Sequence, residues 1–172
     1  MTASEVDDVP ENLRSGAKEV FDLVNAGDAA MAIIRCDALA ADAHSDHVWH
    51  ILSLKAFVYQ MARDKGNALH WIGEAIRLNQ SAASLRYKRA LLLIDTHRFD
   101  DAIADCLVGE TEESQKNSIY LLNSFRIMRA FCLLQQGKRK EAVDAVKSIP
   151  PDYAEWLGGA NVTRTTILSQ TF

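Results

Sequence analysis

Arg89-Ala90-Leu91-Leu92-Leu93-Ile94-Asp95-Thr96-His97-Arg98-Phe99-Asp100-Asp101-Ala102-Ile103 decides the fold. An apolar run ends at the turn signal Thr96-His97-Arg98 and a second amphipathic run follows, so the stretch reads as two helices joined by a tight turn. Ala90 and Ala102 stand twelve residues apart, one in each helix. Antiparallel helices need small side chains where they approach most closely, because a larger residue would hold the backbones apart. Working outward, the same pair of sites recurs as Val20 with Ala32, Ala56 with Ala68, and Ala130 with Ala142. Successive units step by 36, 34 and 40 residues, and both members of the pair move together through the irregular steps. A third site keeps the same register three places after the first: Leu23, Tyr59, Leu93 and Leu133. Co-moving sites of this kind mark an internal repeat.

The rest of the chain agrees. Its 172 residues are 48% hydrophobic and 24% charged, a globular balance, and the three prolines fall at Pro10, Pro150 and Pro151, outside the body of the repeat. Helix formers in amphipathic order fill the space between, and alternating strand patterns are absent, so the fold class is all-α. Turn signals at Ala26-Gly27-Asp28, Asp64-Lys65-Gly66-Asn67, Thr96-His97-Arg98, Glu110 to Asn117 and Gly137-Lys138 separate helices of about 12 to 16 residues. The extra residues of the longest step are assigned to a polar loop, Glu110–Asn117, since loops tolerate insertion. Cys36, Cys106 and Cys132 are odd in number and widely spaced, which argues against a disulfide framework or a zinc cluster and for a reducing compartment. The opening MTASEVDDVPEN is acidic where a signal peptide would be basic and apolar, and no apolar run approaches bilayer length; a soluble, cytoplasmic protein is the expectation.

At these residues the chain resembles the tetratricopeptide repeat (TPR) family, whose unit is a 34-residue helix pair with small residues at the two crossing points. The matching stretches are Ala56-Phe57-Val58-Tyr59 with Ala68 and Ala75, Arg98-Phe99-Asp100-Asp101-Ala102-Ile103, and Gly137-Lys138-Arg139-Lys140-Glu141-Ala142-Val143. The resemblance covers about residues 13–151, with degenerate repeats. It implies a right-handed solenoid of four antiparallel helix pairs, with units at about 13–48, 49–82, 83–116 and 117–151. An acidic flexible segment, 1–12, precedes them. A C-terminal capping helix, 152–172, follows, because the last unit of a stack needs its apolar side covered. Pro150-Pro151 stops the final repeat helix and Asp152 is the candidate N-cap of the cap, whose apolar side is Tyr153, Trp156, Leu157, Val162, Ile167 and Leu168, with Gly158-Gly159 bending or breaking it. One departure from the family is systematic: the residue just before the first small site is charged in every unit, as Glu19, Lys55, Arg89 and Arg129.

Catalysis finds no support, since no nucleophile elbow, P-loop, dinucleotide-binding or zinc-protease motif occurs. No cofactor is expected. His44, His47 and His50 have the only metal-like spacing, but no carboxylate or cysteine completes a site, and solvated histidines are the better reading. The cysteines read as buried small hydrophobes. Two columns are candidates for partner binding. The first is apolar: Phe21, Phe57, Leu91 and Phe131 follow the small site of each first helix, and Tyr87 and Ile127 lie three places before it in the last two units. In the resembled family the first of these places faces the concave groove. Either the column lines an open groove, or a terminal segment of the chain packs on it and the column is core. The second column is basic: Arg86 and Arg89 recur as Arg126 and Arg129. These arginines either pair with acids such as Asp100, Asp101, Asp105 and Glu141, or steer an acidic partner surface. The family's carboxylate-clamping subgroup uses Lys, Asn and Arg at groove places that hold Ala17, Phe21, Leu54 and Ser84 here, so that clamp is not carried over. A net charge of −4 without aromatic interleaving argues against nucleic acid. The resemblance therefore implies a protein-interaction module, a small stand-alone chaperone, adaptor or inhibitor (an immunity protein among them) that binds another protein through an extended or helical segment. The alternative is a structural or self-associating scaffold; oligomeric state stays open.

Overall fold

The computed structural model describes residues 10–116, 118–119 and 121–170. The chain forms two compact units, Met1–Gln80 and Ser81–Phe172. The first unit contains α1 (Glu11–Asn25), α2 (Ala29–Asp42), a 3-10 turn (Ser45–His47), α3 (Val48–Met61) and α4 (Lys65–Leu78). The second contains α5 (Ala83–Asp95), α6 (Phe99–Gln115), α7 (Leu122–Gln135), α8 (Arg139–Val146), the strands β1 (Ala154–Leu157) and β2 (Ala160–Thr163), and α9 (Arg164–Ser169). Within each unit every long helix packs on the next in sequence.

The crossing sites lie where the sequence puts them. Ala32, Ala68, Ala102 and Ala142 in the second helices have no exposed surface, and Val20, Ala56, Ala90 and Ala130 in the first are equally buried. Around them the first unit gathers Leu13, Cys36, Ile51 and Val58. The second buries Leu85, Cys106, Phe125, Met128, Cys132 and Val146. Complete burial of a side chain such as Phe125 contributes roughly 2 to 3 kcal/mol. Gly109 of α6 is part of this packing, because a Cβ there would overlap the Phe125 ring.

The turn inside each helix pair repeats as closely as the alanines do. Gly27, Arg63, His97 and Gly137, each seven residues after the first crossing site, have φ of 82°, 62°, 57° and 75°. The next residue then donates its N–H to the carbonyl of the third repeat site: Asp28 to Leu23, Asp64 to Tyr59, Arg98 to Leu93 and Lys138 to Leu133, at 2.8 to 2.9 Å. A single left-handed residue thus closes the first helix and satisfies one of its last carbonyls. Asp28 and Asp64 also cap the second helix, accepting from the N–H groups of Met31 and Asn67. Arg98 and Lys138 occupy the same place without a side-chain cap.

Three expectations are corrected. Glu11 and Asn12 belong to α1, so the helical body begins inside the segment 1–12 expected to be flexible; residues 1–9 lie outside the described residues. The polar stretch from Glu110 is not a loop, because α6 continues to Gln115. Its acids have partners that keep the helix wound: Glu110 and Glu112 pair with arginines of the neighbouring helices. Glu113 accepts from the Ser118 hydroxyl and from the N–H of Leu121, at the start of α7. Asn117 lies outside the described residues. Finally, the C-terminal cap is not one helix. Gly158 and Gly159, both at positive φ, form a two-residue turn between β1 and β2, which pair antiparallel with Leu157 opposite Ala160 and Ala154 opposite Thr163. Two consecutive left-handed residues suit a tight hairpin turn and are closed to a helix. Leu157 and Val162 on one face of the hairpin, with Ile167 of α9, are buried, whereas Trp156 on the other face is 69% exposed. Asp152 is exposed in a turn and caps no helix. The fold class nonetheless stands as all-α repeat, with the hairpin and α9 added at its end.

Candidate partner-binding surface

The charged residue before each first crossing site is part of an ion pair between helices. Glu19 of α1 meets Arg35 of α2 at 2.6 Å, and Lys55 of α3 meets Asp37 of α2 at 2.5 Å. Arg89 of α5 grips Asp105 of α6 through two hydrogen bonds of 2.6 Å. Arg129 of α7 does the same to Glu110 of α6, at 2.6 and 3.0 Å. Long side chains can lie across an alanine and carry their charge to the next helix, so the departure from apolar packing does not disturb the crossing. Lys55 is also almost completely buried, with its ammonium 3.9 Å above the centre of the Trp71 ring. A cation taken out of water needs such partners.

These contacts occupy the basic column. Arg86 reaches Glu112 at 3.1 Å and Asp105 at 3.6 Å, and Arg126 lies 3.9 Å from Glu110. Asp105, whose side chain is 4% exposed, serves two arginines. Its hydrogen bonds push the Arg89 pKa further up. Arg86, Arg89, Arg126 and Arg129 therefore join α5 and α7 to the acids of α6. Of the acids weighed from the sequence, Asp105 is engaged by them; Glu110 and Glu112, placed in a loop by the sequence reading, are the others. Their signal was the spacing of acids at 105 and 112 on one helical face, which becomes visible only once α6 is known to continue.

The apolar column is half-buried. In the first unit Phe21 and Phe57 meet edge to face, 5.5 Å between ring centres. In the second unit Ile127 is fully buried, and Tyr87, Leu91 and Phe131 are half-buried. The hairpin accounts for part of this. A Cβ on Gly158 would come within 3.1 Å of the Phe131 ring, so the turn rests on it. The Tyr87 hydroxyl donates to Glu155 at 3.2 Å, and the Tyr153 hydroxyl bonds Glu155 at 3.0 Å and Ser124 at 2.5 Å. The chain's own C-terminal segment thus engages Tyr87 and Phe131.

Apolar side chains remain exposed elsewhere. Met31 and Ile34 share a face of α2, Met61 ends α3, and Leu107 and Val108 lie on α6; Ile34 is 58% exposed and Met61 56%. Sequence reasoning missed these, because a lone exposed Ile or Met leaves no mark in a helical pattern. The histidine run is spread along the 3-10 turn and the start of α3, with ring centres 6.2 and 6.4 Å apart. Among the described residues no group of three His, Cys, Asp or Glu side chains could hold a metal ion, and no helix is long and apolar enough to cross a membrane. The three cysteines are buried as free thiols. Burial pushes the Cys36 and Cys132 thiols up to about 12, and Cys106 well above its ordinary value.

Among solved structures, the chain is similar to one described as a Podosopora anserina kinesin light chain with nearly identical TPR-like repeats, with a TM-score of 0.68 and 11% identity, over 99% of this chain and 86% of that one. The fold is a TPR-like helical repeat. No family model matches the sequence, and no curated protein matches it. At this identity the likeness speaks for the fold alone.

Proposed function

We propose that this chain is a non-catalytic protein-interaction module, a small chaperone, adaptor or inhibitor that holds one partner protein. The observation that supports this reading is the contrast between two sets of side chains. The arginines that could have met a ligand are consumed by Asp105, Glu110 and Glu112. Meanwhile Met31, Ile34, Met61, Leu107, Val108 and Trp156 are left exposed on helices and on a strand. Exposed apolar groups on rigid helices suit the docking of a protein surface or of an extended or helical segment. Recognition then rests on apolar contact, because an acidic partner would have to compete with acids already in place. Three buried free thiols suit a reducing, cytoplasmic setting.

The test is a pull-down from the native host with the tagged chain, followed by size-exclusion chromatography with light scattering. The reading expects one protein recovered in a fixed ratio, and loss of that complex with Ile34→Lys or Leu107→Lys. A chain that runs alone as a homo-oligomer and recovers no partner contradicts it and favours a self-associating scaffold.

A further inference from the structure

We propose that the outer face of α2 pairs with α2 of a second copy of this chain, antiparallel about a two-fold axis, so that Ile34 lies on Ala38 of the other copy and Met31 on its Ala41. This goes beyond the interaction reading above, in that it gives α2 to a second copy and leaves α6 for another protein. The repeat supplies its own standard for an outward face. Take the residues one place before the buried crossing alanine of each second helix and two, six and nine places after it. In α4 these are Asn67, His70, Glu74 and Arg77, ordinary solvated side chains, with Glu74 and Arg77 paired at 3.0 Å. In α8 the first two are Glu141 and Asp144, both exposed, and in α6 the first is Asp101. In α2 the same places hold Met31, Ile34, Ala38 and Ala41, all exposed and all apolar, with Ile34 at 58% and Met31 at 48%. The two charges in the middle of α2 are already paired within the chain, Arg35 with Glu19 and Asp37 with Lys55.

Steps of three, four and three residues make the seam along which one helix packs against another. The order of sizes along this seam names the occupant. The large residues, Met31 and Ile34, come first and the small ones, Ala38 and Ala41, come last. Two copies laid parallel would put large on large at one end and small on small at the other, wedging the helices apart there and leaving a gap here. Turned end for end, every layer holds one large and one small side chain. All four layers then fill the same volume, and the two axes keep one separation. A stripe that complements itself under a two-fold is what an isologous interface requires, since each residue must receive from the other copy what it gives. The antiparallel arrangement also sets the N-terminal end of each helix beside the C-terminal end of the other, which suits their dipoles. A single helix face is smaller than a standard interface, so the dimer is reversible and forms with rising concentration.

The experiment is sedimentation equilibrium of the purified full chain, from micromolar concentrations to about one millimolar. The mass should rise towards that of two chains. Ile34→Lys should weaken the association roughly tenfold or more, the loss typical of an interface anchor, and leave the melting temperature of the dilute chain unchanged. His70→Lys, on the solvated face of α4, should leave the association as it is. The size order has its own test. Ile34→Ala opens gaps in the two central layers and Ala38→Ile overfills them, so each alone should weaken the dimer, whereas the double variant again sets one large residue on one small and should restore it. A wild-type chain that stays monomeric at the highest concentration overturns the proposal and gives the face of α2 to some other occupant. A dimer that survives Ile34→Lys overturns it too, as does a double variant no better than the worse single one. None of these failures touches the interaction reading, which Leu107→Lys still tests on α6.

Discussion

Replacing Arg63 with glycine should make the protein more stable, although it deletes a whole side chain. Arg63 holds φ at 62° in the turn between α3 and α4, where its repeat equivalents Gly27 and Gly137 are glycines. The left-handed conformation costs an L-residue about 1 to 2 kcal/mol, from the crowding of Cβ against the carbonyl. Glycine avoids that cost but loses more chain entropy on folding, about 0.5 to 1 kcal/mol. The Arg63 side chain is exposed and takes part in no ion pair among the described residues, so little is lost with it. The difference leaves a gain of about 0.5 to 1 kcal/mol for Arg63→Gly. His97→Gly should gain less, because its ring also meets Phe99 edge to face at 5.7 Å, a contact worth about 0.5 to 1.5 kcal/mol. The reverse change, Gly137→Ala, should cost about 1 kcal/mol. Urea unfolding followed by circular dichroism measures all three, with unchanged m-values confirming that stability alone has moved. A destabilising Arg63→Gly together with a neutral Gly137→Ala would refute the shared turn geometry.

Further expectations concern the packing, the ion pairs and the thiols. Gly109→Ala should cost about 1 to 3 kcal/mol by forcing a methyl into the Phe125 ring, and an unchanged melting temperature would show that α6 and α7 are not that close. Asp105→Ala strips both Arg86 and Arg89 of an acceptor and should cost about 3 kcal/mol; a loss below about 0.5 kcal/mol in urea titration would mean the pair is solvated. The folded chain keeps Cys36 and Cys132 protonated up to about 12, whereas unfolded thiols ionise near the ordinary 9.0. Stability should therefore fall as pH rises from 9.0 towards 12, and iodoacetamide at pH 8 should label these residues only on unfolding; rapid labelling of the native protein contradicts their burial.

How much of this was legible in the sequence differs from element to element. The crossing alanines were readable because tight helix contact admits almost nothing else, and Gly27 and Gly137 because the turn demands a left-handed residue. Turns were also read at Asp64-Lys65-Gly66-Asn67 and Thr96-His97-Arg98, but not the left-handed residue in each, since neither Arg63 nor His97 advertises positive φ. The length of α6 was not legible, because Glu110 and Glu112 are kept helical by arginines 26 residues before one and 19 after the other. The hairpin was missed for a related reason. Strands of four residues carry too short an alternation to outweigh a helical reading, and Gly158-Gly159 registered as a break instead of a turn. Of the candidate site, the alternatives for both columns were on the page from the sequence. The contacts that decide how these side chains are used, from Asp105 to Arg89 and from Gly158 to Phe131, depend on side-chain reach in three dimensions.

The central claim is that four helix pairs cross at one repeated small site, and a leucine series tests it most directly. Ala32→Leu, Ala68→Leu, Ala102→Leu and Ala142→Leu should each cost about 1 to 3 kcal/mol in urea unfolding by overpacking the crossing. Ala30→Leu, Ala62→Leu and Ala104→Leu, at exposed positions of the same helices and turns, should stay within about 0.5 kcal/mol of wild type. Costs that fail to separate the two sets would contradict the shared register on which the whole account is built.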